Sequence, residues 1–403
     1  MNSKKVLAFV LAGGKGERLF PLTAFRSKPA VPFGGRYRIV DFVLSNLINS
    51  GIYSIYLLVQ YKSQSLIEHI RQNWVLSPIL RDHFIAVVPP QMRMGPEWFQ
   101  GTADAVFQNL NLLQAHNPDL VVIFGADHIY RMDLKQMIEF HLQRQADVTV
   151  AARPVPLKEA TAFGVIQSEE DGRITGFQEK PQEPTPMPSD PERAYVSMGN
   201  YIFTTDVLVR ALIEAQEKKF NDFGAHILPY LVDRAKLYAY DFGSNRVPGT
   251  KDYEEQGYWR DVGTIRAYYE AHMEMLGERP LFELNNPEWP VYPTNQRVPA
   301  TKVLKAEIED SIISEGVIIK NATVRRSIIR SGVVIEEGAV VEDCIIMDNS
   351  VIKRDCYLKK TIVDKLNIIK EGTRIGFDQE DERFGLHIDP SGIRVIPRRG
   401  WKE

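Results

Sequence analysis

Aliphatic residues recur every 17 positions near the end of the sequence, and this repeat restricts the fold of that region more than any other feature. Three columns share the spacing: Ile312, Ile329, Ile346, Val363; Ile318, Ile335, Ile352, Ile369; Val324, Val341, Leu358, Ile375. Within a repeat the columns lie about six residues apart, which predicts a coil with three corners. Stacked coils would bury the aliphatic columns together, although no single repeat could do so. We therefore expect a parallel β-helix.

Residues before the repeat follow a different pattern and predict an α/β domain. Short β-rich apolar runs at 6–11, 55–59, 84–88, 121–124 and 148–152 predict strands. Segments 38–49, 63–74, 103–114 and 134–145 carry apolar residues at three- and four-residue spacing and predict helices between these strands. The proline-rich segment 181–191 predicts an extended loop at the rim of a site.

The change of pattern predicts the domain boundaries. Residues 285–305 begin with a stretch rich in Pro and Asn that has no clear period, so we expect a linker there. The α/β domain would then span residues 1–284, and residues 306–403 would form the β-helix with a polar C-terminal tail. At 403 residues the chain is long enough for both domains to bury a core.

Charge and cysteine content exclude several classes of function. The 49 Lys and Arg against 52 Asp and Glu give a net charge of −3, so no general positive field attracts nucleic acid or a membrane surface. Cys344 and Cys356 are the two cysteines of the sequence and form no CxxC motif, which argues against structural zinc and disulfides. Lys4 and Lys5 before an apolar run imitate a signal peptide, but that run passes directly into a glycine-rich turn. We expect a cytoplasmic protein without nucleic-acid or membrane partners.

The glycine-rich turn that follows the first predicted strand indicates a phosphate site. Gly13, Gly14 and Gly16 let backbone N–H groups approach a phosphate, and Arg18 and Lys28 add positive charge. The pattern is not a Walker A loop, and Leu19 stands where a dinucleotide motif would have its third glycine. A nucleoside phosphate is the ligand that we expect here.

Two aspartates are candidates for holding a metal ion. Asp127 follows the predicted strand 121–124, and ligands of open α/β sheets bind beyond the carboxyl ends of strands. Together with Asp261 it would offer the oxygen ligands that Mg²⁺ prefers, although either residue alone could belong to a turn. His128 is expected to pack or to bind solvent rather than to coordinate the ion.

These segments and several others resemble the sugar-1-phosphate nucleotidylyltransferases, and among them the bacterial subfamily that joins ATP to glucose 1-phosphate. Further segments that carry the resemblance are Pro32-Phe33-Gly34-Gly35, Arg38-Ile39-Val40-Asp41-Phe42, Gln60-Tyr61, Phe163-Gly164-Val165, Glu179-Lys180-Pro181 and Ser197-Met198-Gly199. Residues 98–105 (WFQGTADA) distinguish the subfamily. The resemblance covers nearly the whole chain. It implies a Rossmann-like, mostly parallel mixed sheet, a C-terminal left-handed β-helix of hexapeptide type, and formation of ADP-glucose and diphosphate for glycogen or α-glucan synthesis.

The resemblance also implies roles for individual residues. Catalytic roles fall to Arg18, Lys28 and Asp127, and Mg²⁺ would be held by Asp127 and Asp261. The nucleotide would bind Leu11, Gly13, Gly14, Gln91, Phe99 and Gly101. Glucose 1-phosphate would bind Gly164, Glu179, Lys180 and Ser197. The protein would position the reactants for in-line displacement at the α-phosphorus, without a covalent nucleophile.

Regulation is implied as well, with one departure from the family pattern. Phe25 occupies the position where many members carry a lysine that binds a sugar-phosphate activator. Arg26 and Arg38 lie nearby in the sequence and form a possible site for an anionic metabolite effector of unassigned identity. Gln60 and Trp98 would couple that effector to the active site, and the family implies a homotetramer.

Three alternatives stay open at this point. A hexapeptide acyltransferase would need a histidine on the β-helix, but all eight histidines lie outside coils 312–375. A non-catalytic regulatory paralogue is expected to have lost a charged site residue, and none is missing. A transferase for another base or sugar, making UDP-glucose, dTDP-glucose or GDP-mannose, would preserve the reaction type.

Overall fold

The computed structural model describes residues 4–398 except 78, 81, 93–94, 96, 188, 293–297 and 378–385. The strands of the first domain are β1 Val6–Ala12, β2 Pro32–Phe33, β3 Tyr37–Arg38, β4 Ser54–Val59, β5 Phe84–Val88, β6 Leu120–Gly125, β7 His128–Tyr130, β8 Val148–Pro156, β9 Gly164–Ser168, β10 Ile174–Glu179, β11 Arg193–Thr204, β12 Leu237–Asp241 and β13 Trp259–Asp261. The α-helices are α1 Ile39–Asn49, α2 Gln64–Asn73, α3 Thr102–Phe107, α4 Leu110–His116, α5 Leu134–Gln143, α6 Leu157–Ala160, α7 Thr205–Glu217, α8 Leu228–Leu231 and α9 Ile265–Met273. None of the helices described here is long and apolar enough to cross a lipid bilayer.

A mixed sheet of nine strands forms the centre of the first domain, as the fold class expected from the sequence requires. Its main path runs β10-β9-β11-β6-β1-β4-β5, with β8 beside β11 and β12 beside β8. Strand β1 pairs in parallel with both β4 and β6, whereas β11 runs antiparallel to β6. The five predicted strands are all present. Strands β9, β10, β11 and β12 were not predicted. Of these, β10 and β11 run antiparallel to their neighbours and make the sheet mixed.

Successive side chains of β1 point to opposite faces of the sheet, and both faces are buried. Ala8 and Val10 face the core that contains α1 and α5, and Leu7 and Phe9 face the core that contains α7. Because β1 is central and fully covered, its sequence reads as one continuous apolar run. Helices on both faces leave the carboxyl ends of β1, β4 and β6 open at one edge.

The predicted helix 103–114 is wrong in one respect, because it is two helices. The chain breaks between α3 and α4, where Asn109 donates its side-chain Nδ2 to the carbonyl of Ala105 at 2.8 Å. A short amide that bonds the backbone competes with helical hydrogen bonds, which accounts for the break. In the proline-rich segment, described residues 181–187 and 189–191 contain no helix, as expected for a loop.

The second domain consists of short strands stacked in three sheets, parallel except for one antiparallel pair at the end of the third sheet. Its strands are β14 Lys302–Leu304, β15 Glu307–Glu309, β16 Ile312–Ile313, β17 Ile318–Lys320, β18 Thr323–Arg325, β19 Ile328–Ile329, β20 Val334–Ile335, β21 Val340–Glu342, β22 Ile345–Ile346, β23 Val351–Ile352, β24 Tyr357–Lys359, β25 Thr361–Val363, β26 Ile368–Ile369, β27 Arg374–Ile375, β28 His387–Ile388 and β29 Arg394–Ile396. The sheets follow β14-β17-β20-β23-β26, β15-β18-β21-β24-β27 and β16-β19-β22-β25-β29-β28. This arrangement is consistent with the expected left-handed parallel β-helix.

In two of the three predicted columns, the first member is one residue too early in the sequence. Ile313, not Ile312, is in register with Ile329, and Ile319, not Ile318, is in register with Ile335. The third column is correct, since Val324 pairs with Val341. The physical reason is a shorter corner: Val324 follows Ile319 by five residues, whereas Val341 follows Ile335 by six. A fixed period of 17 therefore misplaces the first coil.

The β-helix begins inside the segment expected as a linker. Strand β14 pairs with β17 and so already belongs to the first coil. Earlier in the same segment, Trp289 is buried and its indole Nε1 lies 3.4 Å from Asn46 Oδ1 of α1. The connection is thus packed against the first domain rather than extended between two separate bodies.

One outer face of the β-helix packs on the first domain. Ile328, Ile345 and Ile362 are fully buried in a cluster that also contains Phe33 and Tyr268. At about 25 cal/mol per Å² of apolar area removed from water, such a cluster holds two domains in a fixed relation. The interface lies directly behind the segment that carries Lys28.

Candidate active site

A cavity of about 840 Å³ lies at the carboxyl ends of β1, β4 and β6. Parallel strands of an open sheet direct their following loops to the same edge, which accounts for its position. It is lined by residues from loops that lie far apart in the sequence: Leu11, Ala12, Gly13, Gly14, Lys15, Gly16, Glu17, Arg18, Lys28, Pro29, Leu58, Gln60, Phe99, Gln100, Gly101, Thr102, Ala105, Gly125, Asp127, His128, Glu179, Gly199, Tyr201, Asp222, Gly224 and Gly263.

The glycine-rich turn forms one wall of the cavity. Gly16 has a φ of 65°, and a Cβ there would lie 3.0 Å from the Cβ of Lys28. Both the left-handed backbone and the close approach favour glycine at this position. Thr23 donates its hydroxyl to the carbonyl of Gly16 at 2.9 Å, which fixes the end of the turn. Gly13 and Gly14 also lie in the cavity wall.

Lys28 lies between the two aspartates that were predicted to hold a metal. Its Nζ is 3.1 Å from Asp127 Oδ2 and 2.7 Å from Asp261 Oδ1. The aspartates come together because β13 pairs antiparallel with β7 and sets Asp261 opposite His128. Arg18 adds a second cation, with a guanidinium nitrogen 3.6 Å from Asp261 Oδ2.

This arrangement shifts the pKa values of the buried groups. Burial opposes the charged form of Lys28, but Asp127 and Asp261 outweigh burial and raise the pKa of the ammonium above its usual value. Burial likewise favours the neutral acid of Asp127, yet Lys28 and His128 hold the pKa of that carboxyl well below its usual range. Lys28 and Asp127 therefore both stay charged at neutral pH.

The acidic residues fit a divalent cation. One ligand atom each from Asp127, His128 and Asp261 can lie within 4.8 Å of the others, so a single ion could contact all three residues. Carboxylate oxygens are suitable ligands for Mg²⁺, whereas an imidazole nitrogen is less so. Asp127 and Asp261 are therefore the residues that would hold such an ion.

Glu179 also lines the cavity, and two of the other predicted sugar-phosphate residues, Gly164 and Lys180, lie beside it. Gly164 pairs with Glu179 across β9 and β10, and a Cβ on Gly164 would lie 2.5 Å from a ring carbon of Phe177. Lys180 has a left-handed φ of 44° and an Nζ 2.7 Å from Glu179 Oε1. Ser197 accepts a hydrogen bond from the N–H of Gly199 at 3.2 Å. Of the four predicted residues, only Glu179 lines the cavity itself.

Sequence reasoning missed Asp222, which lines the cavity near Glu179. Its Oδ1 accepts from the N–H of Ala225 at 2.9 Å and begins a π-helical turn, Phe223–Ile227. Its Oδ2 accepts from the hydroxyl of Thr102 at 2.9 Å. The signal that could have found it is the run Asn221-Asp222-Phe223-Gly224, in which Gly224 leaves room for Glu179.

Gln60 ties the turn after β4 to the loop before α3. Its side-chain amide accepts from the N–H of Phe99 at 2.7 Å and donates to the carbonyl of Phe99 at 3.2 Å. Gly101 then packs on a neighbouring loop so closely that a Cβ would lie 2.2 Å from the carbonyl oxygen of Asn221. Leu11, Phe99 and Gly101 thus line the same wall as the glycine-rich turn.

Four further predicted residues lie away from the cavity lining. Gln91 donates to the carbonyl of Pro89, and Trp98 is 51% exposed. Arg26 is buried at the domain interface, where it bonds both carboxylate oxygens of Asp364. Arg38 donates to Ser65, and burial lowers its pKa to about 10. None of these four residues therefore lines the cavity.

Comparisons with known proteins agree over both domains. Residues 7–278 match the family model for nucleotidyl transferases, and residues 293–396 match the model for the GlmU-like C-terminal hexapeptide. A glucose-1-phosphate adenylyltransferase of Thermodesulfovibrio yellowstonii is 64% identical over 395 residues, covering 98% of this chain and 96% of the relative. Enzymes of the same name from Anaeromyxobacter sp. and Thermus thermophilus are 48% and 47% identical, with coverage of 98% and 99% of both chains respectively.

Proposed function

The chain belongs to the glucose-1-phosphate adenylyltransferase family of nucleotidyl transferases, and we propose that it joins ATP to glucose 1-phosphate, forming ADP-glucose and diphosphate. ADP-glucose is an activated glucosyl donor, so the product suits glycogen or α-glucan synthesis. The observation that carries the proposal is that the glycine-rich turn, Lys28, Asp127 and Glu179 line one cavity, and that Asp261 contacts Lys28 there.

ATP occupies the wall formed by the glycine-rich turn. Backbone N–H groups near Gly13 and Gly14 contact its phosphates, and Arg18 and Lys28 neutralise their charge. The adenine lies against Leu11 and the loop that carries Phe99 and Gly101. Gln91 would reach the adenine only after its loop moves, since its side chain bonds Pro89.

Glucose 1-phosphate occupies the end formed by Glu179. Glu179 accepts hydrogen bonds from sugar hydroxyls, and Lys180 provides a point charge for the sugar phosphate. Gly164 leaves room for the ring of Phe177 and the carboxylate of Glu179, and Ser197 provides a hydroxyl near the turn at Gly199. Asp222 joins this group, because it faces the same cavity.

The reaction is an in-line displacement at the α-phosphorus of ATP. A phosphate oxygen of glucose 1-phosphate forms the new bond to phosphorus while the bond to the bridging oxygen of diphosphate breaks. Nucleotidyl transferases generally use a divalent metal, and Mg²⁺ held by Asp127 and Asp261 would neutralise the phosphate charge that develops. Lys28 and Arg18 orient the triphosphate and balance the charge on the leaving diphosphate.

The proposal includes the wider organisation of the enzyme. Residues 1–284 carry the catalysis. Residues 285–305 connect the domains and contribute strand β14 to the β-helix, and 306–403 form the rest of the β-helix and the tail. An anionic metabolite binds near Arg26 and Arg38 and acts through Gln60 and Trp98. The enzyme works in the cytoplasm as a homotetramer, which light scattering after size exclusion tests, since a monomer would contradict it.

Diphosphate release measured across a panel of substrates tests the reaction. ATP, UTP, dTTP and GTP are each paired with glucose 1-phosphate and mannose 1-phosphate, with Mg²⁺ present. The highest kcat/KM is expected for ATP with glucose 1-phosphate. A preference for another nucleotide or sugar would replace this substrate pair, and absence of diphosphate release with every pair would support a regulatory paralogue.

A further inference from the structure

Four consecutive backbone carbonyls in segment 32–35 accept hydrogen bonds from side chains far along the chain. The hydroxyl of Tyr268 donates to Pro32. Nη1 of Arg330 donates hydrogen bonds to two carbonyls, that of Phe33 at 3.0 Å and that of Gly34 at 2.7 Å. Ser314 donates its hydroxyl to Gly35 at 2.7 Å. Arg330 and Ser314 both belong to the β-helix, so the second domain holds three of these four carbonyls.

The conformation of this turn depends on those side chains. Gly34 has a left-handed φ of 56°, and its N–H donates to Nε2 of His272 at 3.0 Å. A Cβ on Gly35 would lie 2.9 Å from the hydroxyl oxygen of Ser314. A buried turn leaves its backbone polar groups without water, so each group needs a partner from the protein. Here the partners come from α9 and from the β-helix.

Arg330 is built into the β-helix as a rigid donor. Its side chain is 2% exposed, and its Nε lies 3.0 Å from Asp348 Oδ2 on the next coil. A buried guanidinium needs a compensating charge, which Asp348 supplies. The planar fork then directs Nη1 at the two carbonyls, and a lysine could not reproduce that geometry. Asp348 therefore orients Arg330, and Arg330 orients the turn.

The segment that carries Lys28 leads directly into this turn. Lys28–Ala30 forms a single 3-10 turn. The N–H of Val31 closes it by donating a hydrogen bond to the carbonyl of Lys28 at 3.0 Å, and Pro32 is the next residue. On the other side of Lys28, Arg26 bonds Asp364 of the β-helix. Lys28 thus lies between two anchors that both reach it from the second domain.

We propose that Arg330 is a positioning residue for the adenylyl transfer: by holding the carbonyls of Phe33 and Gly34, it keeps Lys28 in register with Asp127 and Asp261. The β-helix therefore takes part in the chemistry without touching a substrate. This inference rests on the proposed function of the cavity.

Steady-state kinetics of full-length variants test the inference. Arg330→Met removes the donor and the charge, and we expect kcat/KM for ATP to fall by about 10 to 100-fold, the effect of a displacement near 1 Å at a reacting group. The KM for glucose 1-phosphate is expected to stay within about twofold, since the sugar end of the cavity is held by other elements. Arg325→Met is the matched control, because Arg325 is half-exposed on the same coil and contacts only Glu307 and Glu309 among acidic groups of the described residues.

A second variant separates positioning from stability. Arg330→Met alone leaves Asp348 without the guanidinium, whereas Arg330→Met with Asp348→Asn removes both charges. If Arg330 positions the turn, the double variant regains thermal stability and stays slow. Recovery of kcat/KM together with stability would show that Arg330 serves only to neutralise Asp348, and would overturn the inference.

Two further outcomes decide the remaining cases. If Arg330→Met does not fold, Arg330→Lys replaces it, because lysine keeps the charge beside Asp348 without the planar guanidinium. Full activity of Arg330→Lys would contradict the inference. Full activity of Arg330→Met in an active parent background would contradict it as well. An inactive parent enzyme on every substrate pair would instead reject the proposed function.

Discussion

Lys28 Nζ lies 2.7 Å from Asp261 Oδ1, although 233 residues separate them in the sequence. With Asp127 on its other side, the ammonium occupies the space between two carboxylates that are suited to a divalent cation. A bound cation would share these carboxylate oxygens with the ammonium, so the cation and Lys28 would together supply the positive charge that the phosphates require.

Asp127→Asn should lower kcat by at least about 10² to 10³-fold, because it removes a charged group that holds the metal and fixes Lys28. Diphosphate release under saturating ATP and glucose 1-phosphate measures the effect. Asp252→Asn, at an exposed position, is the control and should retain parental turnover. Near-normal turnover in Asp127→Asn would contradict the assignment of this residue.

Removal of divalent cations should abolish turnover, and added Mg²⁺ should restore it. In Asp261→Asn the Mg²⁺ concentration that gives half-maximal rate should rise at least about tenfold, since loss of one group at a metal site typically weakens binding by that much or more. A titration of rate against free Mg²⁺ at fixed ATP compares parent and variant. Identical titration curves would argue that Asp261 holds no metal.

Lys180→Ala should raise the KM for glucose 1-phosphate by about 10 to 100-fold, the range expected for a lost hydrogen bond to a charged group. The KM for ATP should change little, because Lys180 lies at the sugar end beside Glu179. Initial rates with each substrate varied in turn measure the split. Lys158→Ala, on an exposed residue of α6, provides the comparison, and an unchanged sugar KM in Lys180→Ala would count against its role.

Gly101→Ala should destabilise the protein by ~1–3 kcal/mol, the usual cost of inserting a methyl group where none fits. The added Cβ would lie 2.2 Å from the carbonyl oxygen of Asn221, so one backbone segment must move. Gly14→Ala is a matched change in the same cavity wall, where no heavy atom lies within 4 Å of the added carbon. Denaturant unfolding should therefore separate the two variants, and equal stability would show that the loop yields without cost.

Folding stability should decrease as the pH falls below about 6.5, in part because His272 must stay neutral. Its Nε2 accepts from the N–H of Gly34, and burial lowers its pKa from 6.5 to about 3. Below pH 6.5 the imidazole of His272 is protonated in the unfolded chain, but in the folded chain it stays neutral down to about pH 3. The free energy of unfolding therefore decreases as the pH falls from 6.5 to about 3. Between pH 7.5 and 5 the loss is about 2 kcal/mol.

His272→Gln tests this dependence, because the amide oxygen can accept from Gly34 without titrating. Denaturant unfolding at pH 7.5 and pH 5 should show a smaller loss of stability in the variant than in the parent. His387→Gln, at a partly exposed residue of the β-helix, should retain the parental difference. Equal pH dependence in His272→Gln and the parent would exclude His272 as a source.

Local pattern predicted the β-helix well because its coils repeat the same contacts. The prediction failed at Ile312 and Ile318, where one corner is a residue shorter and shifts the register. The break between α3 and α4 was missed for a related reason. It depends on the side chain of Asn109, and periodicity of apolar residues does not report that hydrogen bond.

The candidate site was predicted in part. Residues in distinctive local motifs, such as Gly13, Arg18 and Asp127, do line the cavity. Asp222 was missed because its role depends on antiparallel strands and a π-helical turn that bring it beside Glu179. The placement of Lys28 between two carboxylates likewise depends on the tertiary structure, because no spacing in the sequence relates positions 28, 127 and 261.

The turn at residues 32–35 has a consequence for biosynthesis. A ribosome makes this turn early, and Arg330 and Ser314 emerge almost 300 residues later. Until these two side chains are made, the carbonyls of residues 33–35 must bond to water. The nascent first domain therefore cannot adopt its final geometry around Lys28. Completion of the catalytic centre thus waits for the end of translation, and chains truncated before the β-helix should be released incompetent.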